Sequence, residues 1–215
     1  MEMLEDKGHE RDYALERLIM LSDGVIAIAI TLLALELRPP EHWDGGMQTL
    51  VHAMARSFGA FLFSFFIIAV YWINHRRMFG RFRSADAGLT VLNLVLLGLM
   101  TLVPVVTSLM VQAGPRGAGY VIYVMVLGGI GLVNALIWAW AAFVKPRLFT
   151  VEPPRPAKFV VLAVMLTPVV ILPILALASM RVTPLWTMAF ALLAVVVTRG
   201  IRLWGRRHGT TQWAP

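Results

Sequence analysis

The sequence predicts an all-α integral membrane protein with six transmembrane helices per chain, and three observations carry that prediction. Of its 215 residues, 59% are hydrophobic and only 14% are charged, where a soluble domain carries about a quarter. The mean hydropathy is +0.75. A water-soluble globule of this size cannot hide so much apolar surface. Six apolar stretches reach the length of about 20 residues that crosses a hydrocarbon core; they lie at 17–37, 51–73, 89–111, 121–144, 159–180 and 185–203. Finally, the basic residues alternate between the links. Fifteen of nineteen fall on one side, around Lys7 to Arg17, Arg76 to Arg83, Lys145 to Lys158 and Arg199 to Arg207. Arg38, Arg116 and Arg181 fall on the other, with Arg56 just inside the second span. Cytoplasmic loops retain positive residues, so both termini are expected in the cytoplasm, as in a multi-pass protein of a cell inner membrane.

Each element has its own signature. Residues 1–16 mix both signs and lack the basic start and small-residue cleavage site of a signal peptide, so they read as a retained cytoplasmic segment. The run EDKGHERDYALERL is either a solvated amphipathic cap or a helix leading into span one. Span one holds Ser22, Asp23, Thr31 and Glu36; span two Arg56, Ser64, Asn74 and His75; span three Asn93 and Thr101. Span four carries Gly128, Gly129, Gly131 and Asn134, a set that lets helices approach closely, with Trp138 and Trp140 at the expected interface. Spans five and six contain no acidic group and read as scaffold. The six-helix domain covers 17–204, and 205–215 form a short polar cytoplasmic tail. Cysteine is absent, which excludes disulfide frameworks, thiolate metal sites and cysteine nucleophiles together. The net charge of +7 would suggest nucleic acid in a soluble protein; here its placement is topological and no nucleic-acid partner is expected.

In lipid the informative residues are polar, because each ionisable group buried there is costly. The topology sets Asp23, early in the first span, at a depth similar to His75 near the end of the second. A carboxylate at that depth needs a donor, which His75, Asn74 or the Trp72 indole can supply, while Arg17 or Arg76 can neutralise it from the membrane edge. Arg17 and Asp23 stand roughly 120° apart on a helix, so a shared network must be closed by another helix. The competing reading makes Ser22 or Asp23 a helix N-cap. Further along the span, Ile28, Leu32 and Leu35 fall within about 60° of one another, with Gly24 and Leu21 extending the stripe, and Asp23 points about 140° away from Ile28. Such a stripe is lipid contact or core in most membrane helices.

The segment RLIMLSDGVIAIAITLLALEL resembles the opening helix of the prokaryotic relatives of the lysosomal potassium channel called transmembrane protein 175. That helix is marked by Arg, three residues, then Phe-Ser-Asp; Arg17, Ser22 and Asp23 match it, and Leu21 stands where the family has phenylalanine. YWINHRRMF is similar to the end of the family's second helix, and LNLVLLGLMTLVPVVTSLM to its third. The resemblance runs from about residue 17 to 144. It implies a homotetramer whose first helices line a central pore, constricted by rings of Ile28, Leu32 and Leu35, with Thr31 at their flank. It also makes Arg17, Ser22, Asp23, Trp72 and His75 a structural network holding the pore helix.

The expected function is therefore passive, potassium-favouring cation conduction through a hydrophobic constriction. The sequence contains no TVGYG filter. Glu36, with Glu41 and Asp44, would make the outer mouth acidic. The expected partners are further copies of the chain, the lipid bilayer, and potassium and other monovalent cations, with no cofactor and no resident metal. The rival is a secondary transporter of a small cation, which repeated halves would mark; spans one to three and four to six share no motif. An enzyme is not expected. His75 is the one histidine expected inside the membrane, and a single buried aspartate cannot form a catalytic dyad.

Overall fold

The computed structural model describes residues 2–39, 44–113 and 117–181. Their order is α1 (Glu2–Leu35), α2 (Met47–Phe79), α3 (Ala87–Ala113), α4 (Ala118–Ala139), a π-helical turn (Trp140–Val144), a 3-10 turn (Pro146–Leu148) and α5 (Arg155–Arg181). Four of these are long and apolar enough to cross a membrane: Tyr13–Leu35, Met47–Phe79, Ala87–Ala113 and Ala118–Val144. α5 occupies the expected fifth span, and the expected sixth, 185–203, lies outside the described residues. Each observed helix outruns its hydrophobic stretch at one end or both, since polar residues continue a helix once it leaves the hydrocarbon. α1 is the extreme case, with the charged leader and the apolar span forming one helix.

α1 packs on α2 and α3, α3 on α4, and α4 on α5. Along residues 13–35 of α1 the buried side chains fall on one face, Leu15, Leu18, Ser22, Ile26, Ala29 and Leu33, spaced three and four residues apart as a 3.6-residue period requires. Between lipid-exposed helices hydrophobic transfer supplies no attraction, so close packing and interhelical hydrogen bonds must hold the bundle. Close approaches occur at Gly119, where an added Cβ would collide with the Leu109 carbonyl oxygen of α3, and at Gly88, where it would meet the Trp140 ring. Of the glycines expected to serve this purpose, Gly129 would bring a Cβ to 3.3 Å from Leu99 of α3, whereas a Cβ at Gly128 would meet nothing within 4 Å. Trp138 also departs from expectation. It is buried in the core, not at the interface, and its Nε1–H donates to the Lys158 carbonyl at 3.0 Å.

At one end of the bundle the α2–α3 link and the segment after the π-turn are sewn together. Arg83 N–H donates to Leu148 O (2.8 Å) and Thr150 N–H to Arg81 O (2.9 Å) around an antiparallel bridge between Phe82 and Phe149. Phe79, Phe82, Phe149 and Trp138 stack edge to face beneath it, with centroids 5.1–5.4 Å apart. Asp86 caps α3 by accepting from the Leu89 N–H, and it also accepts from Trp140 Nε1–H.

Candidate functional site: the anchored first helix

Ser22 and Asp23 lie in the middle of α1, so neither is an N-cap; the helix former DYALERLIML carries the helix straight through them. Ser22 Oγ–H donates back to Leu18 O at 2.7 Å. This fixes the direction of a longer chain. With its proton committed, Ser22 Oγ accepts from Asn93 Nδ2 (2.8 Å), which leaves Asn93 Oδ1 to accept from His75 Nε2–H (2.8 Å). Ser22, Asn93 and His75 are all buried, and the His75 ring stacks on Phe79 at 4.1 Å. The chain therefore ties α1 to α3 and α3 to α2.

Asp23 belongs to a separate arrangement. Its carboxylate accepts from Trp72 Nε1–H at 2.7 Å, and the Arg76 guanidinium lies 4.9 Å from the centroid of the Trp72 ring. The indole thus stands between a cation on its face and an anion at its edge, both favourable to its charge distribution. Of the three donors open to Asp23, Trp72 is the one in contact, and His75 goes to Asn93 instead. Arg17 joins neither group. It is exposed, and its guanidinium sits over the Tyr13 ring at 5.6 Å. Within one chain, the hydrogen bonds of the five expected residues thus fall into two groups, and Arg17 contributes to neither. Asn93, noticed in the sequence only as a polar residue in an apolar span, is the junction of one of them.

A second buried chain was not foreseen. Thr107 Oγ1–H donates to Val103 O (2.7 Å), so Ser64 Oγ–H donates to Thr107 (2.9 Å) and Tyr123 O–H to Ser64 (3.0 Å), joining α2, α3 and α4. Its signal was three polar residues in three apolar spans, a pattern that gives no pairing by itself.

The face of α1 opposite these anchors is open. Ile28, Leu32 and Leu35 are 59%, 40% and 68% exposed, and Leu21 and Thr31 are exposed beside them. Thr31 Oγ1–H is turned onto its own helix, donating to Ile28 O at 2.8 Å. Glu36 does not continue this stripe. α1 ends at Leu35, and Glu36 lines a cavity of about 400 Å³ with Leu33, Arg38, Phe61, Thr107 and Gln112, on the bundle side of the helix end. Asp44 is held in the turn before α2, where the Thr49 hydroxyl and then the Gly46 N–H keep its carboxyl below the usual carboxylate range. Glu41 lies outside the described residues. No group of three or more metal-ligating side chains occurs among the described residues.

Residues 17–104 match the family model described as endosomal/lysosomal potassium channel TMEM175. A Streptomyces collinus protein named a potassium channel is 32% identical over 146 residues, 66% of this chain and 70% of that protein. The chain belongs to the TMEM175 family. A human relative, named an endosomal/lysosomal proton channel, is 30% identical over 147 residues, but the match spans only 28% of its length. The crystal structure of a lysosomal potassium-selective channel TMEM175 homolog from Chamaesiphon minutus superposes with a TM-score of 0.60 at 29% identity. That superposition covers 84% of this chain and 97% of the other. The family match covers residues 17–35 of α1, all of α2 and residues 87–104 of α3, which include every side chain of the two anchoring arrangements.

Proposed function

We propose that four copies of this chain assemble with their first helices innermost and conduct monovalent cations passively, favouring potassium, across a bacterial inner membrane with both termini cytoplasmic. The observation that carries this reading is the division of α1 into two faces. One face is fixed by Ser22, Asp23 and the buried apolar residues; the other leaves Ile28, Leu32 and Leu35 exposed. Fourfold repetition turns each residue of that stripe into a ring. Rings of isoleucine and leucine form a constriction that gates by wetting and dewetting, since a narrow apolar bore expels water until it widens or becomes more polar. Thr31 flanks the rings. Glu36, just past the end of α1 but turned to the bundle-side cavity, would act on cations at the outer mouth through its charge and not by lining the rings. The chain is not an enzyme in this reading.

The names of the relatives support potassium and proton conduction respectively, so the assay must read both ions. Purified protein in liposomes is expected to collapse a potassium gradient without a coupled ion, and Leu32→Asn or Leu35→Asn to raise the flux severalfold by wetting a ring. Potassium flux that saturates and requires an opposing ion or proton gradient would establish a transporter instead. A pH-sensitive dye in the same liposomes separates proton from potassium current.

A further inference from the structure

The sewn end of the bundle carries a charge imbalance that the conduction pathway does not use. Residues 76–86 and 145–158 contain eight lysines and arginines against two carboxylates, Asp86 and Glu152. Both carboxylates are engaged: Asp86 by the Leu89 N–H and the Trp140 indole, Glu152 by Lys158. Lys145, Arg147 and Arg155 are exposed, and among the described residues their side chains have no hydrogen-bonding or ionic partner. Directly beside them is an exposed aromatic pair, Phe143 and Phe159, 43% and 61% accessible with ring centroids 5.3 Å apart.

The register of these residues is informative. Phe143 is the second-last residue of a helical stretch long and apolar enough to cross a membrane, Ala118–Val144, and Lys145 follows its end. Arg155 precedes Phe159 by four residues on the same face of α5, one turn, about 5.4 Å, nearer the loops. Lys145 and Arg155 therefore stand about half a turn and one turn outside Phe143 and Phe159, with Arg147 in the 3-10 turn that follows. The π-turn contributes, because its wide bond from Lys145 N–H to Trp140 O (2.9 Å) rotates Phe143 and Lys145 away from their α-helical phase. Such turns recur at functional sites.

We infer that the junction of the π-turn and α5 is a binding site for an anionic phospholipid, with Lys145, Arg147 and Arg155 holding the headgroup phosphate and Phe143 and Phe159 receiving the acyl chains. A phosphate outside and apolar surface a turn or less inside is the profile of a phospholipid at a membrane edge. An acidic protein segment would satisfy the cations but would leave the exposed Phe143 and Phe159 without an apolar partner. Free phosphate would use the cations alone.

The test is native mass spectrometry of the full chain in detergent, titrated with phosphatidylglycerol, phosphatidylcholine or inorganic phosphate. Phosphatidylglycerol should be retained at least tenfold better than phosphatidylcholine, and inorganic phosphate at equal concentration should not displace it. Lys145→Gln, Arg147→Gln and Arg155→Gln combined should weaken phosphatidylglycerol binding about a hundredfold, at about fivefold per cation. Arg147 holds the sewn loops through its backbone carbonyl, so this variant keeps the Arg83 Nε–H bond to that oxygen. If the combined variant does not fold, Arg155→Gln alone should cost about fivefold. Phe159→Ala should weaken both lipids while preserving the preference between them. Equal retention of the two lipids, displacement by inorganic phosphate, or a folded variant binding phosphatidylglycerol as the unaltered chain does would overturn the proposal.

Discussion

Trp72 makes Asp23 tolerable in the membrane. A half-buried carboxylate needs a donor at close range, and the indole supplies one while its face takes the Arg76 cation. Removing the donor alone leaves the carboxylate unsatisfied, whereas removing both members leaves nothing to satisfy. Trp72→Phe should therefore destabilise the fold by about 1–3 kcal/mol, and combining it with Asp23→Leu should recover most of that loss. Chemical unfolding of the single and double variants in detergent measures both; a double variant less stable than Trp72→Phe would show that Asp23 has another partner. The sequence made Asp23 and His75 conspicuous by their chemistry. It could not pair them, because similar depth leaves the rotation of each helix undetermined, and a hydrogen bond is decided over tenths of an ångström.

Among the elements, the α3–α4 contact shows how packing is chosen where hydrophobic transfer contributes nothing. Gly119 permits backbone approach to Leu109, while Gly128 borders open space. Gly119→Ala should cost about 1–3 kcal/mol by forcing the helices apart, and Gly128→Ala should be neutral or slightly stabilising through its better helix propensity. Thermal melting of the two variants, compared directly, tests the contrast. The cluster Gly128, Gly129 and Gly131 was visible in the sequence, but composition does not reveal that Gly129 faces Leu99 while Gly128 faces nothing, or that Gly119, outside the cluster, makes the tighter contact. The same holds for α1, where period alone could not distinguish a core stripe from an open one.

For the whole molecule, the open stripe of α1 must meet lipid, a neighbouring copy or a pore. The chain has no cysteine, so a single introduced thiol is an unambiguous reporter. In the proposed tetramer Leu35→Cys should give disulfide-linked dimers under mild oxidation, and Ala29→Cys, on the buried face, should not. Gel electrophoresis without reductant reads the result; linkage through Ala29→Cys alone would place the wrong face of α1 at the axis.

What the sequence determined by itself was the solvent and the elements. Twenty-residue apolar runs admit few structures other than helices in lipid, because every backbone polar group there must be bonded within its own segment. It also determined which side chains would be expensive to bury and which stripe of α1 was uniformly apolar. Only the tertiary structure decided that Asp23 faces Trp72, that Asn93 joins Ser22 to His75, that Arg17 stands apart, and that Glu36 turns toward the bundle. The physical reason is the same in each case. Sequence spacing fixes angles around one helix, whereas partners depend on how separate helices are rotated and where each of them ends.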